Sequence, residues 1–204
     1  TLGVGIAMAH FVSKDAYGMY KYILSLMAIA TTFSLTGLRV AVFRSASTGY
    51  THALSSAARY FIKYSPIALA TVAIMGVYYM VKGNVTIGTL LLVAGSVFVI
   101  SDVFSFSTIY LNGLRKFTSS MLYGLGITGI QSIALIICAF YAPSYVPLVL
   151  TFVISTFVLT GIVHMRVQKE AAGSVNDERS DSELLHQAKH QTVANLFSGI
   201  VGQI

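Results

Sequence analysis

Long apolar segments separated by short polar turns dominate the chain. Residues 117–165 contain no Asp, Glu, Lys or Arg, and this stretch is interrupted only by the turn-forming run at 142–147. An α-helix rises ~1.5 Å per residue, so crossing a hydrocarbon core of ~30 Å takes about 20 apolar residues. The stretch holds two such lengths, which predicts a transmembrane helical hairpin.

The same pattern predicts further spans along the rest of the chain. One ends near Val12, and a seventh begins near Gln191. In hydrocarbon every backbone donor needs an internal partner, and these runs lack the alternation of barrel strands, so the spans are helices. The predicted fold class is therefore an all-α integral membrane protein, a helical bundle. The complete spans cover residues 16–40, 60–81, 85–111, 117–141 and 143–165.

Both ends of the chain lie inside apolar runs too short to cross a membrane, and there is no initiator Met. We therefore expect a fragment of a longer membrane protein. The predicted organisation is a membrane lobe of six helices over residues 1–165, its first helix truncated. A cytoplasmic linker over 166–190 and the start of helix seven over 191–204 follow.

The amino-acid composition supports a membrane protein and argues against a soluble domain or a nucleic-acid-binding protein. The chain is 55% hydrophobic and 10% charged, with a mean hydropathy of +0.76, whereas soluble domains are about a quarter charged. The net charge of +6 comes from cations between the spans, without interleaved aromatics, so we expect no nucleic-acid partner. The single Cys138 cannot form an internal disulfide.

The distribution of cations predicts the orientation, because Lys and Arg in short loops are retained in the cytoplasm. The loops after the second, fourth and sixth spans are therefore cytoplasmic. That side has Arg39, Arg44, Arg59, Lys63, Arg115, Lys116, Arg166, Lys169, Arg179 and Lys189, and the other has Lys14, Lys21 and Lys82.

A polar stripe on the second span is the first candidate site. Lys21 and Arg39 lie eighteen residues apart in sequence, which is about five whole turns at ~3.6 residues per turn, so they share a helix face. Ser25, Thr32 and Thr36 fall in the same sector. Such a stripe suits a water-filled cavity for an anionic substrate. Alternatively, the two cations extend to the membrane surfaces and the hydroxyls bond back to their own helix.

Asp102 is the second candidate, because it is the only carboxylate inside a predicted span. An unpaired charge at the bilayer centre costs ~3 kcal/mol, so Asp102 needs a partner, a proton or water. It is a candidate for proton or cation coupling, or for pairing with a cavity Arg or Lys. The alternative is a structural contact with Ser101 or Ser105.

The remaining polar features predict structure more than chemistry. Small residues recur every fourth position on the fifth span and suit close helix packing, with Gln131 beside them as an interhelical contact. His186 and His190 have helical metal-pair spacing but no third ligand on that face, so no metal site is expected. The small residues are Ser120, Gly124, Thr128 and Ser132.

Several local strings resemble one membrane family. FVSKDAYGMY at 11–20 is similar to its outer loop after helix one, and LTGL at 35–38 with Arg44 is similar to the end of its helix two. NGLRKF at 112–117 resembles its turn between helices four and five, and residues 194–204 resemble the start of its helix seven. The family is the polysaccharide and oligosaccharide flippases of the multidrug/oligosaccharidyl-lipid/polysaccharide exporter superfamily.

The resemblance implies a protein of about twelve or fourteen helices in two lobes that alternate access, with this chain as the first lobe. The implied cargo is an oligosaccharide on a polyprenyl diphosphate, carried across a bacterial or archaeal cytoplasmic membrane. Membrane lipids and the second lobe would be its other partners. No bound cofactor is implied, although a proton or sodium ion could drive transport. The helix faces, and not a family motif, select the candidate cargo-binding cations Lys21, Arg39, Arg59 and Lys63, with Arg44 at the cytoplasmic mouth.

Two alternatives remain open at this point. A cation-coupled multidrug exporter of the same superfamily would share the architecture, but it would need acidic residues in its cavity. A multispanning glycosyltransferase or polymerase would need catalytic carboxylates in an outer loop, where this chain has Asp15 beside Lys14.

Overall fold

The computed structural model describes residues 5, 8, 10–32, 37–50 and 52–172, with the backbone alone at Thr32 and Ala172. Over these ranges the chain is helical between short turns. The helices run α1 (Lys14–Thr32), α2 (Gly37–Ser47), α3 (Ala53–Val81), α4 (Val85–Gly113), α5 (Phe117–Tyr141) and α6 (Tyr145–Ala172).

Helices α3, α4, α5 and α6 are long and apolar enough to cross a membrane. They alternate in direction, because each is joined to the next by a turn of a few residues. The prediction of an all-α membrane bundle is confirmed.

The predicted boundaries hold best where a helix ends at a turn. Helix α5 coincides with the predicted 117–141, whereas α3 begins at Ala53 instead of residue 60 and α4 extends to Gly113. Helix α6 begins at Tyr145 and continues to Ala172, inside the predicted linker. Hydropathy marks where apolar sequence stops, but these helices continue because Leu54 and Val167 are buried beyond the apolar runs.

Other boundary predictions are not tested. Helices α1 and α2 lie on either side of residues 33–36, which are outside the described residues, so one continuous span over 16–40 stays a prediction. The seventh helix and residues 173–190 of the linker also lie outside the described residues.

The ends of three helices have the same hydrogen-bonded turn. After α3, Gly83 N–H donates to Met80 O at 3.0 Å and Asn84 N–H donates to Tyr79 O at 2.9 Å. This Schellman pattern needs a left-handed residue, and Gly83 supplies it with a φ of 86°. Gly49 has the same role after α2, and Arg115 has it after α4 with a φ of 59°.

Hydroxyl groups satisfy carbonyls inside the spans. Pro66 within α3 has no N–H to offer to the carbonyl of Ile62, and Ser65 Oγ donates to that oxygen at 3.0 Å instead. Thr71 and Thr89 donate to carbonyls four residues earlier, at 3.0 and 2.9 Å. These bonds keep polar atoms satisfied where water is scarce.

The core has two main clusters, one toward each end of the bundle. Toward the cation-rich end, residues of α2, α3, α4 and α6 pack around Phe106 and Tyr110. Toward the other end, α1, α4, α5 and α6 pack around Ile23 and Leu148. A third, smaller cluster contains Ala30, Ala68, Val72 and Val99. The two main clusters therefore occupy a cation-rich half of the bundle and the half opposite to it.

Helix α4 is not a uniform α-helix. It contains a π-helical segment at Leu91–Gly95 and a 3-10 segment at Asp102–Ser105. Such segments change the helical phase and are common at functional positions. The second of them begins at the carboxylate singled out from the sequence.

We predict that Gly88 sets the approach of α3 to α4. A Cβ there would lie 2.6 Å from the backbone oxygen of Gly76 and 2.5 Å from Met80 Cγ. Gly88→Ala should therefore lower the free energy of unfolding of the full-length protein in detergent by about 1–3 kcal/mol.

Gly126→Ala is the matched control, because a Cβ at Gly126 meets nothing within 4 Å. It should leave stability unchanged or raise it by up to ~1 kcal/mol, since alanine favours helix. Equal effects of the two substitutions would show that the close approach at Gly88 does not limit packing.

Candidate functional site

Arg39 of α2 and Asp102 of α4 form an ion pair between guanidinium Nη2 and carboxylate Oδ1. Ser105 Oγ lies 3.4 Å from the same Oδ1 and donates to the backbone oxygen of Asp102 at 2.7 Å. Ser101 Oγ donates to Phe98 O at 2.7 Å instead. Asp102 thus contacts a cation as well as one of the two serines considered from the sequence.

The two partners differ in exposure. The side chain of Asp102 is 16% exposed, whereas that of Arg39 is 48% exposed. Asp102 therefore depends on its partner to offset desolvation. Arg39 has five N–H donors and directs only part of them at the carboxylate, so its exposed edge can still bind a second anion.

Local structure positions this pair. Helix α2 buries Leu38, Ala41 and Val42, which leaves Arg39 on its more exposed side. On α4, the 3-10 segment begins at Asp102. Packing of α2 against α4 then brings together two charges that are distant in sequence.

Lys21 lies at a cavity of about 330 Å³ between α1, α5 and α6, which Gly5 and Met8 also line. Its Nζ is 5.6 Å from the ring centroid of Tyr17 and 5.9 Å from that of Tyr20. Of the described residues that line the cavity, none is acidic and Lys21 alone is basic. The cavity lies in the half opposite the cation-rich one, which the cation distribution predicts to be the outer half.

The other predicted site residues occupy different places. Arg44 is exposed in the last turn of α2, and Arg59 and Lys63 are exposed one turn apart on α3. Ser25 Oγ donates to Lys21 O at 3.0 Å, as the alternative interpretation of the stripe expects. The side chain of Thr32 and all of Thr36 lie outside the described residues.

The structure therefore separates the polar residues into groups. It brings Arg39 to Asp102, while Lys21 faces α5 and α6 with no other predicted cation among the described lining residues. The binding of cargo by these residues stays a prediction.

The structure extends one predicted polar contact and adds another that the sequence did not indicate. Gln131 Nε2 donates to Phe152 O at 3.3 Å and to Thr156 Oγ1 at 2.7 Å, which confirms the interhelical contact but also places Gln131 at the Lys21 cavity. Ser107 Oγ lies 2.8 Å from His164 Nδ1 between α4 and α6, with both residues buried. The pairing of Ser107 with His164 depends on helix packing, which residue spacing does not reveal.

The predicted packing role of the small residues on α5 holds in part. Ser120 is buried and donates to Thr108 O at 3.3 Å, but a Cβ at Gly124 would meet nothing within 4 Å. Thr128 and Ser132 line the Lys21 cavity.

No group of three potential metal ligands occurs among the described residues. His186 and His190 lie outside them. The structure therefore does not test the prediction that this histidine pair forms no metal site.

The fold and these polar positions define a multi-pass α-helical membrane protein with a largely apolar cavity that contains a few polar groups, and with an interhelical ion pair. A family model described as polysaccharide biosynthesis protein matches residues 7–204, and the chain belongs to that family. The resemblance seen in the sequence is confirmed, as is a place in polysaccharide biosynthesis at a membrane. No curated protein and no solved structure matched the chain.

Proposed function

We propose that this chain is the first lobe of a flippase that moves polyprenyl-diphosphate-linked oligosaccharide across the cytoplasmic membrane by alternating access. The second lobe would complete the cavity, as in other two-repeat transporters. In this proposal the protein is a transporter and performs no covalent chemistry on its cargo.

The observation that carries the proposal is the exposed guanidinium of Arg39. Its carboxylate partner occupies one part of the group, and nearly half of the side chain stays accessible. A diphosphate offers several anionic oxygens, and guanidinium groups bind such oxygens in pairs. Arg44, Arg59 and Lys63 are exposed on the same cation-rich half and would attract the cargo from the cytoplasm.

Asp102 suits a coupling role in this mechanism. Its carboxylate competes with any cargo phosphate for Arg39. Binding of a proton or sodium ion to Asp102 would weaken the Arg39–Asp102 ion pair. The guanidinium of Arg39 would then be available to the cargo. Return of the free carboxylate would then favour cargo release.

The ion pair also weighs against a multidrug exporter. Such a pump needs an available carboxylate to bind a cationic drug, and here Asp102 already has Arg39 as its counter-ion. Of the residues lining the Lys21 cavity that the structure describes, none is acidic. The charge arrangement therefore favours an anionic cargo.

Deletion of the full-length gene in its host tests the proposal. We expect complete lipid-linked repeat units to accumulate on the cytoplasmic leaflet while surface polysaccharide is lost. The readout is leaflet-resolved quantification of the lipid-linked oligosaccharide. Normal lipid-linked sugars with new sensitivity to cationic drugs would indicate a multidrug exporter, and incomplete repeat units would indicate an enzyme.

Complementation of the deletion strain identifies the residues involved. Arg39→Gln should restore less than a tenth of the wild-type rate of leaflet clearance, since one lost ionic contact is worth about tenfold or more. Lys82→Gln is the control, because Lys82 is an exposed cation whose Nζ lies 5.8 Å from the centroid of the Tyr78 ring. Both variants must reach the membrane at wild-type levels. Full activity of Arg39→Gln would remove Arg39 from the site.

Asp102→Asn tests the coupling role separately. The amide keeps the shape of the side chain, carries no charge and takes up no proton near neutral pH. We expect the clearance rate of this variant to lose the pH or sodium dependence that the wild type shows. Unchanged dependence on both would exclude coupling through Asp102.

A further inference from the structure

The Lys21 cavity has room for only part of such a cargo. Its volume of about 330 Å³ is at the lower end of the ~300–1,000 Å³ typical of ligand pockets. It is partly open and lies between α1, α5 and α6, away from the Arg39–Asp102 pair. A single sugar ring fits these dimensions better than a whole repeat unit.

The charge of the cavity selects an anion. Lys21 Nζ lies near the rings of Tyr17 and Tyr20, which orient the ammonium group without neutralising it. Of the described lining residues, none supplies a carboxylate. One ammonium group matches one carboxylate, whereas a diphosphate needs several cations.

The neutral polar groups favour a ligand rich in hydroxyls. Gln131 uses its amide N–H groups on Phe152 O and Thr156 Oγ1, so its Oε1 is the atom available to a ligand. Ser132 donates its proton to Thr128 O at 2.6 Å and offers oxygen lone pairs. Acceptor atoms of this kind bind sugar hydroxyls and repel anionic oxygens, so an anionic group of the ligand is favoured only beside Lys21.

The aromatic walls complete the match. The rings of Tyr17 and Tyr20 lie 6.3 Å apart at an interplanar angle of 29°, and Phe152 meets Tyr20 edge to face at 6.4 Å. Tyr20 is buried, so the half-buried ring of Tyr17 supplies the aromatic surface that a ligand can reach. Such a surface packs against the C–H face of a pyranose, while polar groups around it hold the hydroxyls.

We propose that this cavity is a subsite for one acidic sugar of the cargo, a uronic-acid ring whose carboxylate pairs with Lys21. The inference rests on the proposed function and names a sugar class that the cargo contains. It also assigns Lys21 and Arg39 to different parts of that cargo, the sugar and the diphosphate.

Binding of simple probes to the full-length protein in nanodiscs tests the subsite. The probes are methyl glucuronide, methyl glucoside and inorganic pyrophosphate, measured by calorimetry or ligand-observed NMR. Loss of the one ionic contact should weaken glucuronide binding about tenfold in Lys21→Gln, and Tyr17→Leu should weaken it as well. Lys82→Gln should bind glucuronide like the wild type, and the neutral glucoside should bind wild type and Lys21→Gln equally weakly.

Glucuronide affinity that is the same in Lys21→Gln and wild type would overturn the subsite and leave Lys21 as a residue extending to the membrane surface. Pyrophosphate that binds more tightly than glucuronide in a Lys21-dependent manner would also overturn it, in favour of a phosphate site. If either result occurs while wild type still clears lipid-linked oligosaccharide from the cytoplasmic leaflet, the subsite fails and the flippase proposal stands. Lys21-dependent glucuronide binding without leaflet clearance would support the sugar site and remove the flippase.

Discussion

Hydrocarbon offers no water to polar groups, so each backbone or side-chain polar atom inside the bundle needs a partner within the protein. Schellman turns close α2, α3 and α4, and Ser65 satisfies the carbonyl that Pro66 leaves without a donor. Gln131 of α5 donates to Thr156 of α6, so this polar side chain also has a partner within the protein. Because these described polar atoms have structural roles, described groups that keep unused bonding capacity point to function.

Arg39 and Lys21 are two such groups, and their surroundings differ. Arg39 is held by Asp102, a partner that a proton or cation can neutralise. Lys21 contacts aromatic rings and lines a cavity with acceptor atoms. The first arrangement suits an anion that is bound and released, and the second suits a sugar that is recognised. In this account the cargo's diphosphate and sugar engage the lobe at separate places.

The sequence predicted the features that depend on local composition. The bounds of α5 follow from the charged residues before Phe117 and from Pro143 after Tyr141. The start of α3 at Ala53 was missed, because burial of Leu54 extends the helix past the apolar run. The pairing of Arg39 with Asp102 was one of several options, since it depends on how α2 packs against α4. Grouping Lys21 with Arg39 relied on one straight helix, and the structure gives each its own neighbours.

The most direct measurement of the central claim is photocrosslinking of radiolabelled polyprenyl-diphosphate-linked oligosaccharide to the full-length protein in membranes. A photoreactive phenylalanine analogue would replace Phe43, which is 44% exposed one turn beyond Arg39. The same analogue at Ile133 of α5, 60% exposed, reports contact with bulk lipid. The account predicts a crosslink at Phe43 that excess unlabelled cargo removes and that Arg39→Gln weakens. Equal labelling at Phe43 and Ile133, unaffected by Arg39→Gln, would contradict it.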